Sequence, residues 1–340
     1  MNSLLEKYVD VFRSRRDLPV EEAGPLLDAM ITATDEPLLA KLFEAWDRKG
    51  IAEDEIFGVA HVMRDRCTKI KTKHKKFVDI VGTGGSRSKT FNVSTAAAFV
   101  VAGTGLPVAK HGNRAATSSS GSADVLAELG VEPAVDAATA ERCLDDIGIC
   151  FMFAPNFHRL SPTLAKVRKG LGFPTIFNCV GPLCNPAGAP HQLIGVWDKD
   201  LTPKMANALA RLGTKRSWIV HAEDGLDEIS LAGPTFIGEV DGSNVNMLEI
   251  RPGDFGIAHS ASSDSTAVSA PKSAEVIRGV LGGGFRDSDA ESLVLINAAA
   301  ALYLSGHGET LSGAYAIAVD SLKSGAAGKK LFQLARATQK

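Results

Sequence analysis

The sequence is poor in the features that staple or anchor a chain. Its five cysteines, Cys67, Cys143, Cys150, Cys179 and Cys184, are odd in number and include no C-x-x-C pair. That spacing argues against a disulfide framework and against a zinc site, and a reducing cytoplasm fits it. Long apolar runs are missing too. The longest, residues 95–110, is Ala-rich and broken by Gly103, Gly105 and Pro107, too short and interrupted to span a bilayer. The first residues, Met-Asn-Ser-Leu-Leu-Glu-Lys, carry charge where a signal peptide needs an apolar stretch. A soluble cytoplasmic protein without a membrane partner is expected. Charge of one sign is also lacking: 37 Lys+Arg stand against 39 Asp+Glu, a net charge of −2. This argues against a globally basic protein that coats nucleic acid, though not against a local basic patch.

What is present is enough for a full core. The chain has 340 residues, 45% hydrophobic and 22% charged, with a mean hydropathy of +0.04, so one large or two modest domains are expected. Glycine is the one excess, 33 residues, above the ordinary usage of about 7%.

Residues 1 to about 70 read as helices only. Leu4, Leu5, Tyr8, Val9 and Phe12 share one helical face; Leu26, Leu27, Met30 and Ile31 repeat the pattern. So do Leu38, Leu39, Leu42, Phe43 and Trp46, then Ile56, Val59, Ala60 and Met63. Their outer faces are available to a partner subunit. A basic run follows from Arg64 through Lys69, Lys71, Lys73, Lys75 and Lys76, readable as an anion patch or as a solvated helix end and linker.

From Phe77 the pattern becomes strand–helix alternation. Strands are expected at 77–81, 106–110, 150–153, 193–197 and 218–221, with helices around 94–102, 123–129, 138–146 and 203–212. This predicts an α/β fold: a mostly parallel sheet, a small all-helical N-terminal domain (1–74) and a large α/β domain (75–340) with a C-terminal helical cover. Segments 236–240 and 245–250, joined by Asp-Gly-Ser-Asn, predict an antiparallel hairpin. Residues 162–190 interrupt the alternation and are expected to pack back on the helical domain.

The first strand runs into Gly82-Thr83-Gly84-Gly85-Ser86 before the next helix. Glycines there let backbone N–H groups approach an anion, and the helix N-terminus adds partial positive charge. The spacing is neither a dinucleotide fingerprint nor a P-loop, so an anion site and an ordinary tight turn both remain open. The second strand ends in Lys110-His111-Gly112-Asn113-Arg114 and a Ser/Thr-rich stretch; in a parallel sheet both strand ends face one crevice. A third end carries Glu223-Asp224-Gly225-Leu226-Asp227-Glu228. Four acids in six residues usually mean a solvated loop, but opposite a phosphate site Asp227 and Glu228 offer magnesium the hard oxygens it takes.

These motifs, with Asn92-Val93-Ser94-Thr95 and Gly181-Pro182-Leu183-Cys184-Asn185-Pro186, stand in an order that resembles the anthranilate phosphoribosyltransferase family, along essentially the whole chain. The resemblance implies transfer of a phosphoribosyl group from phosphoribosyl pyrophosphate to the amine of anthranilate, in tryptophan biosynthesis. It implies phosphoribosyl pyrophosphate bound by Gly82, Gly85, Ser86 and Thr90, and by Asn92, Val93, Ser94 and Thr95. The second loop contributes Lys110, His111, Gly112, Asn113, Arg114, Ala115, Ala116, Thr117, Ser118 and Ser122. It implies two magnesium ions per subunit on Ser94, Asp227 and Glu228. Anthranilate falls near Gly82, Asn113, His158 and Arg168, and the catalytic candidates are Lys110, His111 and Arg168. A homodimer through the helical domain is also implied.

Two segments depart from the family pattern. Ser86 and Arg87 replace its Asp-Gly, with Lys89 close behind, which removes a carboxylate and adds cations. Ser161-Pro162-Thr163 is also unlike the usual sequence. The residue types suit the implied reaction. Breaking the C1–O bond of the ribose leaves negative charge on pyrophosphate, which Lys110 and backbone N–H groups can stabilise, while the planar fork of Arg168 suits a carboxylate. No residue stands out as an obligatory general base. Two alternatives are weighed against it: a pyrimidine-nucleoside phosphorylase of the same superfamily, and a non-catalytic nucleic-acid-binding relative resting on the basic run.

Overall fold

The computed structural model describes residues 2–84, 90–114, 120–257, 269–285 and 288–339. Four helices open the chain: α1 (Asn2–Arg13), α2 (Ala23–Thr32), α3 (Glu36–Lys49) and α4 (Glu53–Arg66). Their apolar faces meet inside, with Phe12 stacked on Trp46 at 4.5 Å. A buried carboxylate organises this unit. Glu55 accepts hydrogen bonds from the backbone N–H groups of Leu18 and Ala52, each at 2.9 Å, and from the Trp46 indole at 2.8 Å. It also pairs with the buried Lys49 ammonium at 2.9 Å.

The lysines of the basic run are exposed, as a solvated helix end and linker would be, but its arginines are engaged. Arg64 is largely buried, and its Nε and Nη1 donate to the carbonyls of Leu183 and Leu212 at 2.6 and 2.9 Å. Burial holds its pKa below the usual arginine range. Arg66 pairs with Asp28, Lys76 reaches the Gly306 carbonyl, and the backbone of Lys71 and Lys73 is taken up by Glu141 and Asp145.

A seven-stranded sheet follows, with strands β1 (Val78–Gly82), β2 (Val108–Gly112), β3 (Ile149–Phe153), β4 (His191–Gly195), β5 (Arg216–Ala222), β6 (Thr235–Asp241) and β7 (Asn244–Ile250). Their order is β3-β2-β1-β4-β5-β6-β7; the first five are parallel and the β6–β7 hairpin is antiparallel. Each expected strand is present, displaced by two residues at most. The chief difference lies in β2, which extends through His111 and Gly112 and so takes Lys110 and His111 into the buried sheet rather than onto a loop.

Side chains alternate across the sheet. Val78, Ile80, Leu193, Trp218 and Val220 join one core, and Val81, Ile194 and Ile219 the other. The first core is covered by α5 (Val93–Gly103), α6 (Ser122–Glu128) and α7 (Ala137–Arg142) and by the C-terminal helices α12 (Ala270–Gly282), α13 (Asp289–Leu304), α14 (Leu311–Lys323) and α15 (Ala326–Thr338). The long apolar run is thus α5 together with β2. A helix apolar on all sides is buried on all sides, and α5 is enclosed by β1, β2, α13, α14 and α15. The short α8 (Ala154–Phe157) follows β3, then α9 (Pro162–Gly170) lies on α2 and α3, and α10 (Ile176–Leu183) on α4. The second core takes in α9, α10 and α11 (Leu201–Arg211), while Phe157 of α8 joins the first. The unusual Ser161-Pro162-Thr163 segment is the start of α9: Ser161 Oγ accepts from Leu164 N at 3.2 Å and Pro162 opens the first turn. No helix among the described residues is long and apolar enough to cross a membrane.

Glu55→Ala would leave three N–H donors unpaired inside the helical unit and reduce Lys49 to its pairing with Asp17. The expected loss is about 3–5 kcal/mol, and less for Glu55→Gln, which keeps an acceptor. Urea unfolding followed by circular dichroism checks this; an unchanged midpoint for Glu55→Ala would remove Glu55 from that role.

Candidate active site

Strand order reverses between β1 and β4, and in an open parallel sheet the carboxyl ends at such a point form the ligand crevice. Gly82 and Gly195 face one another there in register. The acid pair rides directly above them. A Cβ on Gly195 would collide with the Asp227 carbonyl oxygen, and one on Gly82 would lie 3.1 Å from Asp227 Oδ2. The loop is pinned on both sides. Asp224 accepts from Leu226 N at 3.1 Å and from Ser230 Oγ at 2.5 Å, so it shapes the turn, while Glu223 is exposed. Asn297 of α13 accepts from Ile229 N and donates to Ile229 O, at 2.9 and 3.0 Å.

On the α5 side of the sheet the buried Lys110 meets the half-buried acid pair. Lys110 Nζ donates to the Ile80 carbonyl at 2.5 Å and approaches Ser94 Oγ at 3.4 Å; Ser94 N donates to Glu228 Oε1 at 3.3 Å. Desolvation holds the Lys110 pKa down, opposed by Asp79 and Glu228. Desolvation, and then the charge of Asp227, pushes Glu228 up to about 8, while Asp227 is raised by desolvation against a hydrogen bond from Gly84 N–H. Two adjacent carboxylates whose charged forms are disfavoured in this way lack the counter-charge that a divalent cation supplies. Among the described residues no three His, Cys, Asp or Glu side chains form a cage. Asp227, Glu228 and the Ser94 hydroxyl fit magnesium, which keeps waters and shares phosphate oxygens.

The neighbouring residue of β2 points the other way. His111 is buried against His158, ring centroids 5.0 Å apart. Burial depresses both, His111 well below the usual histidine range and His158 to about 4. Each ring bonds a backbone carbonyl, Gly181 for His111 and Cys184 for His158, while both Nε2 atoms have no partner among the described residues. Two buried Nε2 atoms without such a partner are thus left side by side. Arg168, on α9, donates from Nε to Thr175 Oγ1 at 3.3 Å and lies 4.7 Å from the Phe177 ring; burial lowers its pKa to about 10.

The remaining expected residues divide into three groups. Asn92, ahead of α5, holds Ser120 Oγ and Ser273 Oγ on its Oδ1 at 2.9 and 3.0 Å; Val93 and Thr95 are buried in the first turn and Thr90 stands just before it. Gly112 admits Ser122 Oγ and the Phe151 ring where a Cβ would stand, and Ser122 Oγ reaches Asn113 O at 3.4 Å. Arg114 is turned away from the acid pair, 3.5 Å from Asp124. Gly85, Ser86, Arg87, Lys89, Ala115, Ala116, Thr117 and Ser118 lie outside the described residues.

Sequence reasoning missed Asp79. Fully buried in β1, it accepts from His111 N at 3.1 Å and from Asn185 Nδ2 at 2.8 Å, and Asn185 Nδ2 also meets Ala109 O at 2.8 Å. Desolvation raises Asp79 to about 6 against the pull of Lys110. The signal was a lone acid inside an apolar strand, a residue type almost never buried unless paired.

The sequence family described as "Glycosyl transferase family, a/b domain" matches residues 74–328. A curated relative from Moorella thermoacetica, anthranilate phosphoribosyltransferase, is 42% identical over 329 residues, 96% of each chain. The solved anthranilate phosphoribosyltransferase of Thermus thermophilus superposes with a TM-score of 0.88 at 32% identity, over 97% of this chain and 99% of that one. The chain belongs to the anthranilate phosphoribosyltransferase family. The Saccharomyces cerevisiae anthranilate phosphoribosyltransferase, 26% identical with a TM-score of 0.87 over 99% and 98% of the two chains, was solved with phosphoribosyl pyrophosphate and magnesium. It was also solved with 4-fluoroanthranilate.

The paired histidines give this family member a defined acid response. Between pH 6.5 and 4 the unfolded chain takes up protons at His111 and His158 that the folded chain refuses, so stability falls as pH drops. For His158 the full effect is about 3 kcal/mol. Asp79 acts in the opposite sense, because the folded form takes up its proton first. Replacing both histidines with glutamine is therefore expected to shrink the loss of melting temperature between pH 6.5 and 4.5. Calorimetry at the two pH values decides it, and an undiminished loss would contradict the neutral assignment.

Proposed function

We propose that this chain transfers the phosphoribosyl group of phosphoribosyl pyrophosphate to the amine of anthranilate, releasing pyrophosphate and forming N-(5-phosphoribosyl)anthranilate. The observation that carries this reading is the division of the crevice by β2: Lys110 faces the acid pair and the α5 N-terminus, and His111 faces His158 on the other side of the sheet. Family membership agrees with it. Such a site can bind a metal–pyrophosphate and an aromatic acid side by side.

Lys110 and the first backbone N–H groups of α5 meet the departing pyrophosphate and stabilise its growing charge. Magnesium, two ions per subunit held at Ser94, Asp227 and Glu228, supplies further neutralisation of the phosphates when bound. Arg168 presents its guanidinium to the anthranilate carboxylate, with Gly82 and Asn113 alongside. With Nε2 unprotonated, His111 and His158 match the N–H groups of an aromatic amine. Thr90, the 92–95 stretch, the 110–118 stretch and Ser122, together with Gly82, Gly85 and Ser86, are the residues we assign to the phosphoribosyl moiety. Rate enhancement comes from positioning and charge stabilisation. We read 1–74, with 160–190, as the unit through which two copies pair, and the cytoplasm as the site of action.

Mixing the protein with phosphoribosyl pyrophosphate, magnesium and anthranilate should extinguish anthranilate fluorescence; no loss at high enzyme concentration would overturn the reading. Lys110→Ala and Asp227→Ala should each lower turnover on the order of 10²–10³-fold. Full activity in both would refute the site.

A further inference from the structure

Asn178 makes more bonds than its position in a helix requires. It stands three residues after Thr175, the residue that caps α10, and its Oδ1 accepts from Thr175 N at 3.0 Å. Glu or Gln is the usual residue there, and an acceptor alone completes the cap. The amide also has a donor, and this is directed outside the helix: Nδ2 meets the Thr83 carbonyl at 3.3 Å, in the glycine-rich loop 95 positions earlier. The other backbone group of Thr83 is held as well. Thr83 N donates to the Gly195 carbonyl at 2.9 Å, so Asn178 and the end of β4 hold Thr83 on both sides, at the start of the Thr83–Gly84 peptide. That peptide needs holding, because Gly84 lies at φ +64° and a glycine passes readily between left- and right-handed backbone. On its far side the cap reaches Arg168, whose Nε donates to Thr175 Oγ1.

We infer that Asn178 is a positioning residue: it orients the Thr83–Gly84 peptide between the acid pair and the acceptor side, and ties that orientation to Arg168. This rests on the phosphoribosyl-transfer reading of the site. A carboxylate in its place keeps the cap and loses the donor, and it sets a negative charge against the Thr83 carbonyl. A purely structural cap would be indifferent to that exchange.

The test uses the full-length protein and N178D, with T175V as the one-sided comparison. N178D should keep the wild-type melting temperature within a few degrees while kcat/KM falls about ten- to a hundredfold for both substrates. T175V removes the oxygen that meets Arg168, together with its 3.4 Å bond to Asn178 Oδ1, but leaves the Thr175 N–H to Asn178 and the Asn178 donor to Thr83 in place. It should raise the KM for anthranilate and weaken its binding measured by fluorescence without metal, leaving the KM for phosphoribosyl pyrophosphate unchanged. If N178D does not melt cooperatively, N178E carries the same measurement, since glutamate is the ordinary residue at that capping position. Wild-type kcat/KM for phosphoribosyl pyrophosphate in a folded acidic variant would overturn the inference while leaving the proposed function standing. An inert wild-type protein would overturn both.

Discussion

One carboxylate without solvent holds the crevice together. Asp79 gives up one oxygen to the backbone of β2 at His111 and the other to Asn185, which closes on the Ala109 carbonyl. Lys110 leans toward it electrostatically from the adjacent residue. Burying such a charge is costly, and here the cost is met only because every oxygen has a donor. Without Asp79, the segment that follows α10 would keep only the Asn185–Ala109 bond to β2, and the His111 N–H would lose its acceptor.

The same face of the sheet carries a short polar row. Asp79, Gln192 and Ser217 lie in register across β1, β4 and β5. Gln192 Nε2 donates to the Pro182 carbonyl at 3.0 Å, and Ile70 N donates to the Pro186 carbonyl at 3.2 Å. With Arg64 on Leu183 O and the two imidazoles on Gly181 and Cys184, successive carbonyls of the Gly-Pro-Leu-Cys-Asn-Pro motif are taken. The motif is thus a row of acceptors. It spans the end of α10, whose last carbonyls have no donor within the helix.

How much of this the sequence disclosed depended on distance along the chain. Strands were legible because apolar runs end at glycine or proline, as at Gly82 and Gly195, and the N-terminal helices because apolar residues recur on one face, as at Leu39, Leu42 and Phe43, whereas the caps at Ser161 and Ser288 went unread. The acid pair and the Lys-His segment were legible as residue types. Their division between two faces was not, because placing Lys110 and His111 on a loop hides the alternation that separates them. Asn178 and Asn185 were invisible as functional residues, since their partners lie 95 and 106 positions away and an asparagine near a helix reads equally well as a cap. Arg64 misled for the related reason that its partners are carbonyls, which leave no mark in a sequence.

The sheet separates two hydrophobic cores, one under the C-terminal helices and one under the N-terminal unit. Lys110 and the acid pair draw their order from the first, the histidines and Arg168 from the second. The crevice is in effect a seam. Softening of either core is enough to misalign the halves, so the order on which the chemistry depends is only as durable as the weaker of the two. Stabilising the stronger core alone would leave that threshold where it is.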